Sequence, residues 1–152
     1  MFEVIVVGSD GSESAGVAVH RATDLAASAA GTLHIVYAYR QVSLGTVGMA
    51  ASGGATMPDL ESVNRGAALE GERVCEHAAA DARRRGVKVE IHAVPGEAAD
   101  VLVGVARDVD ADLLVVGNRG MSGKRRFVLG SVPNKVSHHA PCSLLIVDTT
   151  SD

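Results

Sequence analysis

The chain has 152 residues, 47% hydrophobic and 21% charged, which suits one domain over residues 1–152 with a substantial core. Its formal charge is −4 and its pI about 5.8, so the basic footprint of broad nucleic-acid binding is missing. Aromatic residues make up only 3%, with no tryptophan, which leaves little from which to build base-stacking platforms.

The opening MFEVIVVGSDG carries an acid at Glu3 and breaks its apolar run after Val4 to Val7. It reads as neither a secretory signal nor a membrane span, and residence in the cytoplasm is expected. Cys75 and Cys142 are the only cysteines and form no CxxC pair, so both read as small buried or half-buried residues without a structural disulfide.

In chain order, Val4 to Val7 predicts a strand, followed by GSDGS and a helix from about Ser12 to Ala30 that ends at Gly31. Ala15, Ala18, Ala22, Leu25, Ala26 and Ala29 fall at helical spacing on its inner face. Leu33 to Tyr39 is a second strand, and residues 43–58, SLGTVGMAASGGATMP, read as a mobile loop. A long helix follows, with Leu60, Val63, Ala67, Val74, Ala78 and Ala82 on one face. Acids at Asp59 and Glu61 open it and Arg83 to Arg85 with Gly86 close it, an order that suits the helix dipole.

Val87 to Val94 gives the third strand, and Ala98, Val101, Leu102, Val105, Ala106 and Val109 mark a third helix. Leu113 to Val116 is the fourth strand, Ser131 to His139 the fourth helix and Leu144 to Val147 the fifth strand. Runs such as VIVV, LLVV and LLIV are apolar at every position, as parallel strands covered on both faces require. The expected architecture is a three-layer α/β sandwich.

Ligands of such sheets bind beyond the carboxyl ends of the strands, where the winding reverses. That rule selects the loops after the first and fourth strands, Gly8-Ser9-Asp10-Gly11 and Gly117-Asn118-Arg119-Gly120. Nine residues after Gly120 comes Gly130-Ser131, where a helix opening at Ser131, with Pro133 tolerated in its first turn, offers free amides at Ser131 and Val132. Such a helix start is an anion site. The spacer adds Lys124, Arg125 and Arg126, and residues 118–130 contain no acid. A phosphate ligand and a merely solvated cationic face both fit that balance.

There is no GxxxxGK followed by serine or threonine, and no GxGxxG after the first strand, which argues against a P-loop triphosphatase and a dinucleotide dehydrogenase. The combination Gly117-x-x-Gly120, nine residues, Gly130-Ser131 resembles the G-2x-G-9x-G-(S/T) signature of the ATP-binding branch of the universal stress protein family. The likeness runs from VIVVGSDGSESA to HHAPCSLLIV. It implies a homodimeric domain with strand order 3-2-1-4-5 that binds ATP or a related adenine nucleotide (AMP, ADP or cyclic AMP), with Mg2+ on the phosphates.

By the same resemblance, Asp10 with Gly8 and Ser9 sits at the adenine, and Ala38 touches the base from the second strand. Val116, Gly117, Arg119 and Gly120 border the ribose and first phosphate, and Gly130, Ser131 and Val132 hold the outer phosphates. Pro133 stands where the family often has a hydroxyl residue, and it removes both that hydroxyl and an N–H. The implied role is regulatory. Cyclic-AMP binding, slow ATP hydrolysis and a nucleotide-free interaction protein remain alternatives.

Plainer readings stand beside these. Asp10 also suits a cap of the first helix or its turn, and Arg119 a solvent-facing loop cation. His138 and His139 complement the dipole at the end of the last helix, while His20, His34, His77 and His92 are scattered without ligand spacing, so no protein metal site is expected. Ser9, Ser12 and Ser14 lack an activating histidine nearby in the sequence, which leaves catalysis without a carrier. The fifth strand, Leu144 to Val147, carries no charge to protect an edge, so pairing with its twin in a dimer is expected.

Overall fold

The computed structural model describes residues 1–45, 59–118 and 128–150. Each apolar run becomes a strand: β1 Val4–Gly8, β2 Thr32–Tyr39, β3 Lys88–Pro95, β4 Leu113–Gly117 and β5 Ser143–Val147. Among the described residues four longer helices alternate with them, α1 Glu13–Ala29, α2 Leu60–Arg84, α3 Ala98–Asp108 and α4 Ser131–His139. The strands pair in the order β3-β2-β1-β4-β5, every pairing parallel. This is the expected α/β sandwich, with element ends shifted by a residue or so.

Two cores explain why the strands are apolar throughout. Ile5 and Val7 of β1 pack on one face with Ala18, Ala22 and Ala26 of α1 and Cys75, Ala79 and Ala82 of α2. Val6 packs on the other face with Leu102, Val105 and Ala106 of α3 and Val136 of α4. All three β1 side chains are 0% exposed.

Local chemistry sets the ends of α1. Ser12 is its N-cap, and its Oγ accepts from the Ala15 amide at 3.2 Å. At the other end Ala30, with φ 52°, takes the left-handed position, and the Gly31 amide donates to the Ala26 carbonyl at 2.9 Å. Gly31 serves a different need. A Cβ there would lie 2.7 Å from the Glu3 carbonyl oxygen, so glycine lets the α1–β2 connection run against the chain just before β1.

The inner stripe of α2 agrees with the expected one at Ala78 and Ala82 and departs from it nearer the start of the helix. Val63 is 44% exposed, and the buried residues are Gly71, Cys75, Ala79 and Ala82. Small residues let this helix approach the sheet closely, which a count of large apolar side chains overlooks. Cys75 is buried, with its thiol directed at the Ile35 carbonyl, and burial pushes its pKa up to about 11. Cys142 is half-buried. No helix among the described residues is long and apolar enough to cross a membrane.

Two glycines of α2 should respond oppositely to substitution. A Cβ on Gly71 would meet Tyr37 Cδ1 at 2.7 Å and Ala93 Cβ at 3.0 Å, whereas one on Gly66 would meet nothing within 4 Å. Gly71→Val should lower stability by about 1–3 kcal/mol through overpacking. Gly66→Ala should raise it by about 0.5–1 kcal/mol through helix propensity. Urea unfolding reads both, and a Gly71→Val midpoint at or above wild type would contradict the close helix–sheet approach.

Candidate functional site

With α1 and α2 on one face and α3 and α4 on the other, the winding reverses between β1 and β4. The loops leaving these strands diverge, and a cleft opens beyond their carboxyl ends. Gly8, Ser9, Asp10, Ala38, Val116, Gly117, Ser131, Val132 and Pro133 all line it. Gly130 immediately precedes this lining as the N-cap of α4. Arg119 and Gly120 lie outside the described residues, as do Lys124, Arg125 and Arg126 and positions 46–58 of the glycine-rich segment.

The loop after β1 is held by its own polar groups. The Ser9 amide donates to the Val36 carbonyl at 2.9 Å, and Gly11, at φ 79°, turns the chain toward α1. Asp10 is not the helix cap. Its Oδ1 accepts from the Ser12 amide at 2.9 Å and the Ser12 hydroxyl at 2.5 Å, so it organises the residue that does the capping. The Ser12 proton is thereby committed to Asp10, which makes Ser14 the donor in the 3.0 Å contact between the two hydroxyls. At the floor, a Cβ on Gly8 would lie 3.1 Å from both methyl carbons of Leu102, so this glycine admits the leucine.

Across the cleft, α4 opens at Gly130 with no side-chain cap among the described residues and no acid in its first turn. The first intrahelical bond runs from the Asn134 amide to the Gly130 carbonyl at 3.0 Å. The Ser131 and Val132 amides precede it, where helical geometry supplies no partner, and Pro133 has no N–H to offer. The positive end of the helix dipole therefore faces the cleft.

Asn118 fastens this side together, a role that sequence reasoning did not assign. Its carbonyl accepts from the Gly130 amide at 3.0 Å, and its own amide donates to the Val147 carbonyl at 2.8 Å. The side-chain Oδ1 accepts from the Thr149 amide and hydroxyl at 3.1 and 2.9 Å, and Nδ2 donates to Asp148 at 3.0 Å. One residue thus ties the end of β4 to the chain after β5 and to the start of α4. A second brace is Lys135, whose Nζ lies 3.0 Å from Glu97 and 2.8 Å from Asp100. Its hydrogen bonds hold both carboxyls below their usual range and join α4 to the start of α3.

Ser12, Ser14, Ala15, Val36, Ala98 and Leu102 also line the cleft and were not anticipated. Val36 was legible in principle, because it lies two residues before Ala38 and shares its face of β2. Ala98 and Leu102 arrive only through the packing of α3. Of the histidines read as scattered, His34 and His92 do come together, across β2 and β3 and away from the cleft lining.

The family model described as the universal stress protein family matches residues 1–148. The chain is 32% identical to universal stress protein YxiE of Bacillus subtilis, covering 97% of this chain and 99% of that protein. It is 34% identical to universal stress protein Rv1636 of Mycobacterium tuberculosis, covering 98% of each. A crystal structure of a universal stress protein in complex with cAMP superposes with a TM-score of 0.71 at 32% identity, covering 98% of both chains. A match over nearly the whole length, joined to the 3-2-1-4-5 sheet, means that this chain belongs to the universal stress protein family.

Proposed function

We propose that this protein binds an adenine nucleotide, with ATP as the preferred ligand, in the cleft between the β1 and β4 loops, and that it acts as a regulatory module and not as an efficient enzyme. The observation that carries this reading is the start of α4. Its Ser131 and Val132 line the same cleft as Ser9, Asp10 and an apolar floor of Val36, Ala38, Val116 and Leu102. An apolar floor suits a purine, and unpartnered amides at a helix start suit a phosphate.

Gly130 supports the same reading. Its φ of −58° is open to any residue, and a Cβ would meet its nearest neighbours at an ordinary 3.4 Å. The fold itself does not require glycine there, whereas a phosphate approaching the backbone does. That a 32% identical relative was solved with cAMP supports an adenine nucleotide as the ligand class. Asp10, Gly8, Ser9 and Ala38 are assigned to the base. Val116, Gly117, Arg119 and Gly120 take the ribose and first phosphate, and Gly130, Ser131 and Val132 the outer phosphates. Mg2+ accompanies the phosphates, with no protein ligand assigned.

Cyclic AMP is the second reading, favoured by that relative and by Pro133, which removes one amide from the phosphate side. Arg119, Lys124, Arg125 and Arg126, with no acid among residues 118–130, weigh more heavily toward a polyphosphate. One missing hydrogen bond is worth only about 1 kcal/mol.

Titrating both nucleotides against wild type, Gly130→Ala and a Lys124→Gln, Arg125→Gln, Arg126→Gln variant separates the readings. Gly130→Ala should keep its fold and lose at least about tenfold in ATP affinity. The triple variant should weaken ATP far more than cyclic AMP, and salt should do the same, since exposed charges are screened within about 10 Å at 0.1 M. Cyclic AMP binding about tenfold tighter than ATP, with the triple variant changing neither, would install the second reading.

The same proposal includes a two-fold dimer through β5. This strand lies at a sheet edge, and Leu144, Leu145 and Ile146 are only half-buried within one chain. Such an edge invites pairing with its twin. Ile146→Lys should give monomer or precipitate where the wild type scatters light as a dimer. A monomeric wild type at micromolar concentration would refute the interface.

A further inference from the structure

Parallel pairing of β2 with the edge strand β3 gathers three side chains that are far apart in the sequence. His34 is the register partner of Glu90, and Val36 that of His92. Alternation along the strands then places His34, Glu90 and His92 on one face of the sheet. His34 Nδ1 lies 2.9 Å from His92 Nε2, and the rings stack with centroids 5.2 Å apart. Glu90 Oε2 lies 3.8 Å from His34 Nδ1, and the three ligand atoms fall within 4.8 Å of one another.

We propose that His34, Glu90 and His92 form a binding site for a divalent transition-metal ion, with His34 Nδ1, His92 Nε2 and Glu90 Oε2 as its ligands. In a tetrahedral site with bonds of about 2.0–2.1 Å, ligand atoms lie about 3.3 Å apart. The observed 2.9 and 3.8 Å bracket that separation and the remaining edge is within 4.8 Å, so rotation of the exposed Glu90 side chain and a turn of the imidazoles are needed to close the triangle around an ion. Two imidazoles and one carboxylate are a donor set suited to zinc, with the fourth position left to water.

The surroundings favour a preformed site. His34 is 5% exposed, so its ring is held by packing, while the Glu90 side chain is 48% exposed and free to adjust. The exposed Glu90 carboxylate leaves the cluster open to solvent, and His92 also lines a groove beside α3 together with Asp108. Lys88 is the competing cation. Its Nζ lies 3.5 Å from Glu90 Oε1, the carboxylate oxygen not assigned to the ion. The proton now shared between the two facing nitrogens passes to the other nitrogen of its ring when the metal binds, so neutral histidines release no proton.

A hydrogen-bonded histidine pair with an incidental glutamate nearby would share this geometry but bind no metal, and titration distinguishes the two. Zn2+ is titrated calorimetrically into the chelator-treated full chain, and Co2+ is followed by its visible absorption. One equivalent of Zn2+ should bind, and His92→Gln and Glu90→Gln should each weaken it by at least about tenfold. Co2+ should give the intense visible bands of a four-coordinate ion. A His138→Gln, His139→Gln variant, which removes the exposed pair ending α4, should bind Zn2+ as wild type does. Absence of binding at micromolar Zn2+, affinity unchanged in Glu90→Gln, or loss of binding only in the His138/His139 variant would each overturn the site. Glu90 is exposed enough that its replacement leaves the fold intact, so a failure of His92→Gln to fold still leaves a decisive variant.

Discussion

The central strand β1 must be covered on both faces. Ile5, Val6 and Val7 have no exposed surface, and burial of each such side chain contributes roughly 1.5–3 kcal/mol. A strand with that demand cannot lie in a one-sided sheet, so helices must reach it from both directions. α1 and α2 supply one layer, α3 and α4 the other. Because parallel connections keep one hand, covering both faces means winding outward from β1 in two directions. The crevice between the β1 and β4 loops is a geometric consequence of that burial.

The residues around the crevice fix the shape of its walls. On one wall Asp10 and Ser12 hold the β1 loop in a fixed turn. On the other, Asn118 ties Gly130 to the end of β4, and Lys135 braces α4 against Glu97 and Asp100. Rigid walls of this kind present backbone amides without an ordering cost at the moment of binding. The start of α4 carries no side-chain cap among the described residues.

Much of this was legible in the sequence. The uniformly apolar runs identified parallel strands, and alternate helical stripes gave the layers, because both signals are local. The strand order, and with it the position of the switch point, came only from the family resemblance. What stayed hidden depends on register or close approach. Val63 looked like a core residue, but the true seam of α2 passes through Gly71 and Cys75, whose small size matters more than their hydrophobicity. Gly31 resembled a helix terminator, yet Ala30 takes the left-handed turn. Asn118 had no role assigned within its loop, although it joins three segments through both its backbone and its side chain. His34 and His92 meet only because β2 and β3 align in one particular register.

The proposed nucleotide occupies the crevice with its phosphates at the start of α4. Amide NMR spectra recorded while ATP is added test it residue by residue. The Ser9, Asp10, Gly117, Ser131 and Val132 amides should shift together with one saturating affinity, while Gly96 and Gly104, in the groove beside β3, stay in place. An unchanged spectrum, or shifts confined to that groove, would contradict it.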